Sequence, residues 1–179
     1  APDVENKFNS ISSLTINSVC PLVTKVHHEA KKYTSNGAEV IYVGHKGHDE
    51  ALGALGVSPD KMHLVENIED VDKLEIEGDA ALLAQTTLSL SEWEPIMNYS
   101  QDKYENLLMP RKSDLCYATT NRQSAIVEIL DEVDAVVVVG SDNSSNTKAL
   151  VNMVKNKGCE AHRIDNVNEL KNLNLPKNI

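Results

Sequence analysis

An α/β protein built on parallel sheets is what this sequence predicts, and two observations predict it. Short apolar, partly β-branched runs alternate with longer segments of helical periodicity along the chain, and strands alternating with helices imply parallel pairing through right-handed crossovers. One of those runs, Ala135 to Val139, is apolar at every position, as a strand covered on both faces must be. A length of 179 residues with 41% hydrophobic content suffices for one medium domain or two small ones.

The elements follow in order. Leu14 to Val19 alternates and is partly β-branched, which reads as a strand running into Cys20. Pro21 opens a helix at its first position, with Leu22, Val23, Val26 and Ala30 on one face and Asn36-Gly37 as the stop. Ala38 to Val43 is a short apolar strand, followed by Gly44-His45-Lys46-Gly47-His48-Asp49-Glu50 and a small helix to about Gly56. Met62 to Val65 and Ala80 to Ala84 read as strands, separated by an acidic helical turn around Glu69 to Leu74. After Gln85-Thr86-Thr87 comes a helix carrying Trp93, Ile96, Met97 and Tyr104. Pro110 to Asp114 has linker character and marks a domain boundary. Beyond it lie Cys116, a helix with Ala125, Ile126, Ile129 and Leu130, the strand 135–139, the loop Gly140 to Asn146, a helix ending at Gly158, a last strand Glu160 to Ile164 and a polar helical tail.

A formal net charge of −10 argues against broad contact with nucleic acid or an anionic membrane, which are bound chiefly through Lys and Arg. A phosphate-bearing small ligand remains compatible where backbone N–H groups, helix N-termini and histidines form a local pocket. No stretch reaches the roughly 18 consecutive apolar residues of a membrane span, and no basic, hydrophobic leader precedes a small-residue cleavage site. Cys20, Cys116 and Cys159 are odd in number and widely spaced, unlike a secreted disulfide framework, so a reducing compartment is expected.

Ligands of parallel sheets bind outside the carboxyl ends of the strands, and the polar loops after Val43, Ala84 and Val139 all fall there, with Cys20 at a further strand end. They are candidates for a single cleft. In the first loop His48 serves to hold a phosphate and Glu50 to relay a proton, or the loop is a solvated turn whose Asp49 and Glu50 complement a helix dipole. Asp142 to Thr147 gathers hydroxyls, amides and free N–H groups before a helix, which suits an anion and suits a plain N-cap equally. The same duality holds for Gln85-Thr86-Thr87. Cys20 and Cys116 lack any local metal-ligand spacing, yet both stand where a thiolate is stabilised, next to a strand end or before a helix. Cys159 falls at the amino edge of its strand and reads as a packing residue.

The sequences Cys20-Pro21-Leu22-Val23-Thr24-Lys25-Val26-His27, Gly44 to Glu50, Gln85-Thr86-Thr87-Leu88-Ser89, Cys116-Tyr117-Ala118-Thr119-Thr120-Asn121-Arg122-Gln123 and Asn143-Ser144-Ser145-Asn146 together resemble the LytB-type 4-hydroxy-3-methylbut-2-enyl diphosphate reductases. Their order and separations match over essentially the whole chain. The resemblance implies a reductive dehydroxylation yielding isopentenyl and dimethylallyl diphosphates in the non-mevalonate isoprenoid pathway. It implies a 4Fe-4S cluster held by three cysteines, two of which match Cys20 and Cys116. It also implies Glu50 as the proton donor, Thr86 near the substrate hydroxyl, and His48, Ser144, Ser145 and Asn146 around the diphosphate. The partners implied are the small diphosphate substrate and an external electron donor of ferredoxin or flavodoxin type, with no nucleic acid and no membrane. The setting is cytoplasmic, or a plastid if a transit peptide has been lost.

By the same resemblance the fold is two adjacent three-layer modules with mostly parallel sheets, part of a three-module, trefoil-like enzyme. Residues 1–20 then end a preceding module and lead in by a strand, 21–112 form the middle α/β module, and 113–179 an incomplete third. Asp49 stands where the family has Pro, and Asn17-Ser18-Val19 where it has Asp-Ala-Thr. The segment bearing the family's first cluster cysteine and the last Ser-bearing loop have no match, so the chain alone is expected to be inactive. The alternative reading is a truncated or degenerate, non-catalytic α/β fragment that keeps a phosphate-binding scaffold.

Overall fold

The computed structural model describes residues 2–11 and 14–179. Within it the chain forms two compact units, Ala1–Thr86 with Leu90–Cys116, and Thr87–Ser89 with Tyr117–Ile179. The first unit holds a four-stranded sheet, β1 (Glu39–Val43), β2 (Met62–Val65), β3 (Ala80–Ala84) and β4 (Leu107–Leu108), in the order β2-β1-β3-β4. All pairings are parallel. Its helices are α1 (Pro2–Ile11), α2 (Pro21–Ser35), α3 (Asp49–Leu55), α4 (Ile68–Asp72) and α5 (Leu90–Lys103).

Parallel strands need both faces covered, and alternate residues of β1 and β3 show how this happens. Val40, Tyr42, Ala81 and Leu83 form one core with Val26 and Ala30 of α2 and Ala51 and Ala54 of α3. Ile41, Val43, Leu82 and Ala84 are equally buried and point the other way, where α4 touches β2 and α5 touches β3. The register sets Val43 opposite both Val65 and Ala84, so β2, β1 and β3 finish level. The polar loops after β1 and β3 therefore emerge side by side.

The second unit pairs β5 (Ala135–Val139) with β6 (Glu160–Ile164) in parallel, crossed over by α7 (Ser145–Asn156) and accompanied by α6 (Tyr117–Ile129) and the short α8 (Val167–Leu170). Its core is Val138, Leu150, Val151, Val154 and Ala161, with Ile126 and Leu130 packed against it. Cys159 sits one residue before β6, with its thiol toward the Val133 and Glu160 carbonyls, the packing position its sequence context predicts.

The strand expected over Leu14–Val19, leading in before residue 21, is not formed. These residues carry no strand assignment, and Leu14, Ile16 and Val19 are exposed. Alternation makes a segment competent to pair, but a strand also needs a ladder to a neighbouring strand. Cys20 accordingly stands at the N-cap of α2 and not at a strand end. The segment Pro110–Asp114, expected as a linker, carries no helix or strand; within it Asp114 is 4% exposed, and the first compact unit continues through Cys116.

Candidate active site

The loop after β1 is shaped by two glycines. Gly47 has φ +81°, the left-handed region where only glycine is unstrained, and it turns the chain so that His48 becomes the N-cap of α3. Gly44 is needed for space: a Cβ there would lie 2.8 Å from Tyr42 Cε1 and 3.0 Å from Gln85 Oε1. Gln85, fully buried, accepts the His45 N–H at 3.0 Å and so ties the β1 loop to the β3 loop.

His48 caps with its ring. Nδ1 accepts the Glu50 N–H at 3.2 Å, which requires Nδ1 to be the bare nitrogen and leaves Nε2–H as an outward donor. Burial, with His45 nearby, holds the imidazole below its usual range, so the neutral ring is favoured. The Glu50 carboxylate reaches across to the β3 loop, where Oε1 accepts the Thr86 N–H at 2.7 Å and Oε2 the Thr86 Oγ1–H at 3.0 Å. Burial raises the Glu50 pKa, and the two bonds from Thr86 only partly oppose it. His48, Glu50 and Thr86 are thus one hydrogen-bonded chain. Beneath it the Tyr42 hydroxyl is buried without a partner among the described residues, and its pKa is pushed up by burial and by Glu50.

The chain extends to Cys116, whose N–H donates to the Thr86 carbonyl at 2.8 Å. Two residues earlier, Asp114 Oδ2 accepts the Ala84 N–H at 3.1 Å and Oδ1 accepts Lys25 Nζ at 2.7 Å. Burial pushes the Asp114 carboxyl up to about 6 against the pull of Lys25. Lys25 belongs to α2, the helix that Cys20 opens, so the segments bearing both thiols are pinned to the same strand end. The sequence reading missed this ion pair. An Asp after Arg-Lys-Ser looks like a surface turn, and its partner lies 89 residues away, so no local signal marks it.

A 4Fe-4S cluster requires thiolate donors. Cys20 and Cys116 are both free, the first exposed and the second partly so, and the side chain of Cys20 makes no capping bond despite its N-cap position. Among the described residues no three His, Cys, Asp or Glu side chains converge as a metal site. The two thiols fit the donor chemistry as part of the set of three that the resemblance implies.

In the second unit Ser144 is the N-cap of α7, and its Oγ accepts the Thr147 N–H at 3.2 Å, leaving its own O–H free to donate. Ser145 and Asn146 form the first turn, and Asn146 Oδ1 is buried with no partner among the described residues. Oxygen and nitrogen of that amide exchange by a flip, so either an acceptor or a donor can be offered there. Arg163 steadies the loop by donating to the Gly140 carbonyl at 3.1 Å. Ser144, Ser145 and Asn146 thus gather in one unit, and Cys20, His48, Glu50, Thr86 and Cys116 in the other.

These features define a class: an α/β protein with parallel sheets, carrying an acid–imidazole–hydroxyl chain on loops at the carboxyl ends of its strands, one free thiol tied to the same loops through its backbone and a second at a helix N-cap. Comparison with known proteins makes it particular. The LytB protein family model matches residues 1–179, and the chain belongs to that family. It is 40% identical over 174 residues to the 4-hydroxy-3-methylbut-2-enyl diphosphate reductase of Cutibacterium acnes, covering 96% of this chain and 54% of the relative. With the Corynebacterium diphtheriae enzyme of the same name it shares 43% over 175 residues, covering 92% and 53%. Among solved structures, the E-1-hydroxy-2-methyl-but-2-enyl-4-diphosphate reductase of Plasmodium falciparum superposes with a TM-score of 0.91 at 32% identity, over 96% of this chain and 55% of that one. The chain spans about half the length of the relatives it matches.

Proposed function

We propose that this chain is the part of a LytB-type reductase that supplies two cluster thiolates, the proton donor and most of the diphosphate cradle. The reaction converts 4-hydroxy-3-methylbut-2-enyl diphosphate, two electrons and two protons into isopentenyl or dimethylallyl diphosphate and water. The observation that carries this reading is the chain from His48 through Glu50 and Thr86 to Cys116, which ties an acid, a hydroxyl and a thiol to one strand end.

Cys20 and Cys116, with a third cysteine, would hold a 4Fe-4S cluster, which would supply the electrons taken from a ferredoxin- or flavodoxin-type donor. The remaining work falls to this chain's own side chains. Glu50 has to be protonated when the C–O bond breaks, and burial that raises its pKa favours that state at working pH. With the proton on Oε2, the Thr86 hydroxyl changes from donor to acceptor. Its hydrogen then turns outward to the substrate oxygen, so a proton moves from Oε2 through Oγ1 to the leaving water. His48 of the first unit donates from Nε2–H to the diphosphate; in the second unit the Ser144 and Ser145 hydroxyls and the Asn146 amide are the groups that the family resemblance assigns to the same ligand. A neutral imidazole binds through this bond and not through charge.

No described helix is long and apolar enough to cross a membrane; the cytoplasmic or plastid setting is what the family resemblance implies. The test is turnover by the full-length protein with a low-potential reductant. Glu50→Gln should retain substrate binding and lose most turnover; near-normal turnover would remove Glu50 from the role of donor.

A further inference from the structure

We propose that the half-buried Lys25–Asp114 pair is a positioning device that sets Cys116 relative to the helix of Cys20, a role that rests on the reductase reading above. Three anchors converge within a few residues. Asp114 holds Lys25 Nζ of α2 at 2.7 Å with one oxygen and the Ala84 N–H of β3 at 3.1 Å with the other. Lys25 Nζ also takes the Lys112 carbonyl at 2.7 Å, gripping the same segment at a second point. Cys116 then closes the arrangement through its N–H to the Thr86 carbonyl, and Leu115 between them is buried.

Stability alone does not account for this choice of residues. The Asp114 side chain is 2% exposed and that of Lys25, which also meets Glu29 Oε2 at 3.2 Å, 26%, and a carboxylate withdrawn from water in this way is often matched or bettered by an apolar side chain of similar volume. An ion pair adds direction and length. Two carboxylate oxygens aimed at two donors fix where the backbone of residues 112–116 runs, whereas an apolar contact tolerates sliding. The residue whose placement benefits is Cys116, because its thiol has to meet a cluster shared with Cys20, and a ligand displaced by an ångström is lost from a preformed site. The bonds of Asp114 and Lys25 go to Ala84, Lys112, Ser113, Glu29 and each other, so they act on Cys116 through the backbone of residues 112–116.

The test compares wild-type full-length protein with Lys25→Met, Lys25→Arg, Asp114→Asn and the apolar double variant Lys25→Met/Asp114→Leu. In the metal-free proteins, hydrogen exchange is followed by mass spectrometry on the peptide spanning Leu115 and Cys116 and on β1 as a global reference. The single variants Lys25→Met and Asp114→Asn should speed exchange at Cys116 tenfold or more relative to β1, while Lys25→Arg preserves protection. The double variant should regain the unfolding midpoint of the wild type but not the protection of Cys116. Recovery of both, or equal changes at Cys116 and β1, overturns the proposal. Reconstitution with iron and sulfide separates the two readings: a wild type that takes up no cluster refutes the reductase reading and leaves exchange to decide on positioning. A double variant that loads and retains the cluster as the wild type does refutes positioning alone.

Discussion

Glu50 separates stability from chemistry because its surroundings penalise its charge while using its oxygens. Its carboxylate accepts two hydrogen bonds from Thr86, and Thr86 is only 5% exposed. Glu50→Ala leaves the Thr86 N–H without its acceptor in a site closed to most water, a loss of about 1–3 kcal/mol. Glu50→Gln keeps an oxygen for that N–H and turns its NH2 toward the Thr86 hydroxyl, which accepts instead of donating. It also leaves no charge to bury. Since burial outweighs the Thr86 bonds in setting the Glu50 pKa, the Gln variant should match or slightly exceed the wild type in stability at neutral pH.

The pH dependence has a definite sign. A carboxyl raised above its ordinary 4.5 on folding contributes stability that is full below that value and is lost as pH rises through the folded pKa. The wild type should therefore gain on Glu50→Gln as the pH falls toward 4.5. Urea unfolding at neutral pH and near pH 5 measures this directly. If Glu50→Gln is as destabilising as Glu50→Ala at neutral pH, and the difference from wild type does not move with pH, the balance described for this carboxyl is wrong.

Two further substitutions test the loops that frame the site. Gly47→Ala puts a Cβ at φ +81° and should cost about 1–2 kcal/mol, read as a lower urea midpoint, with weaker diphosphate binding because His48 follows directly. Ser144→Ala removes the α7 cap, worth about 1 kcal/mol, and one hydroxyl donor. The second unit should lose stability by that amount and the full-length protein should bind inorganic diphosphate more weakly by calorimetry; unchanged affinity would leave Ser144 a cap alone.

Much of the fold was legible because its strands are short apolar runs closed by turn residues. Met62–Val65, Ala80–Ala84, Ala135–Val139 and Glu160–Ile164 form strands over the residues their composition predicts. Leu14–Val19 has the same local character and forms none, since pairing depends on a neighbour that local sequence does not specify. The helix Pro2–Ile11 went unread although Val4, Phe8 and Ile11 recur at helical spacing; all three are exposed, so that stripe faces none of the described core. In the first unit His48 was legible by its place near a helix start, though not as its cap, and in the second the Ser/Asn cluster was legible through capping chemistry. The Glu50–Thr86 contact was not, because it joins the loops of two strands and depends on their register. Lys25–Asp114 lay further out of reach, and resemblance supplied residue identities there without the ion pair that holds them.

Cluster ligation by Cys20 and Cys116 is tested most directly by anaerobic reconstitution of the full-length protein with iron and sulfide, followed by visible absorption and by iron and sulfide analysis. The wild type should develop the broad absorption of an iron–sulfur centre with four irons per chain, and Cys20→Ser and Cys116→Ser should each fail to retain it. Retention of the full iron content and spectrum by either serine variant would contradict the assignment of that thiol.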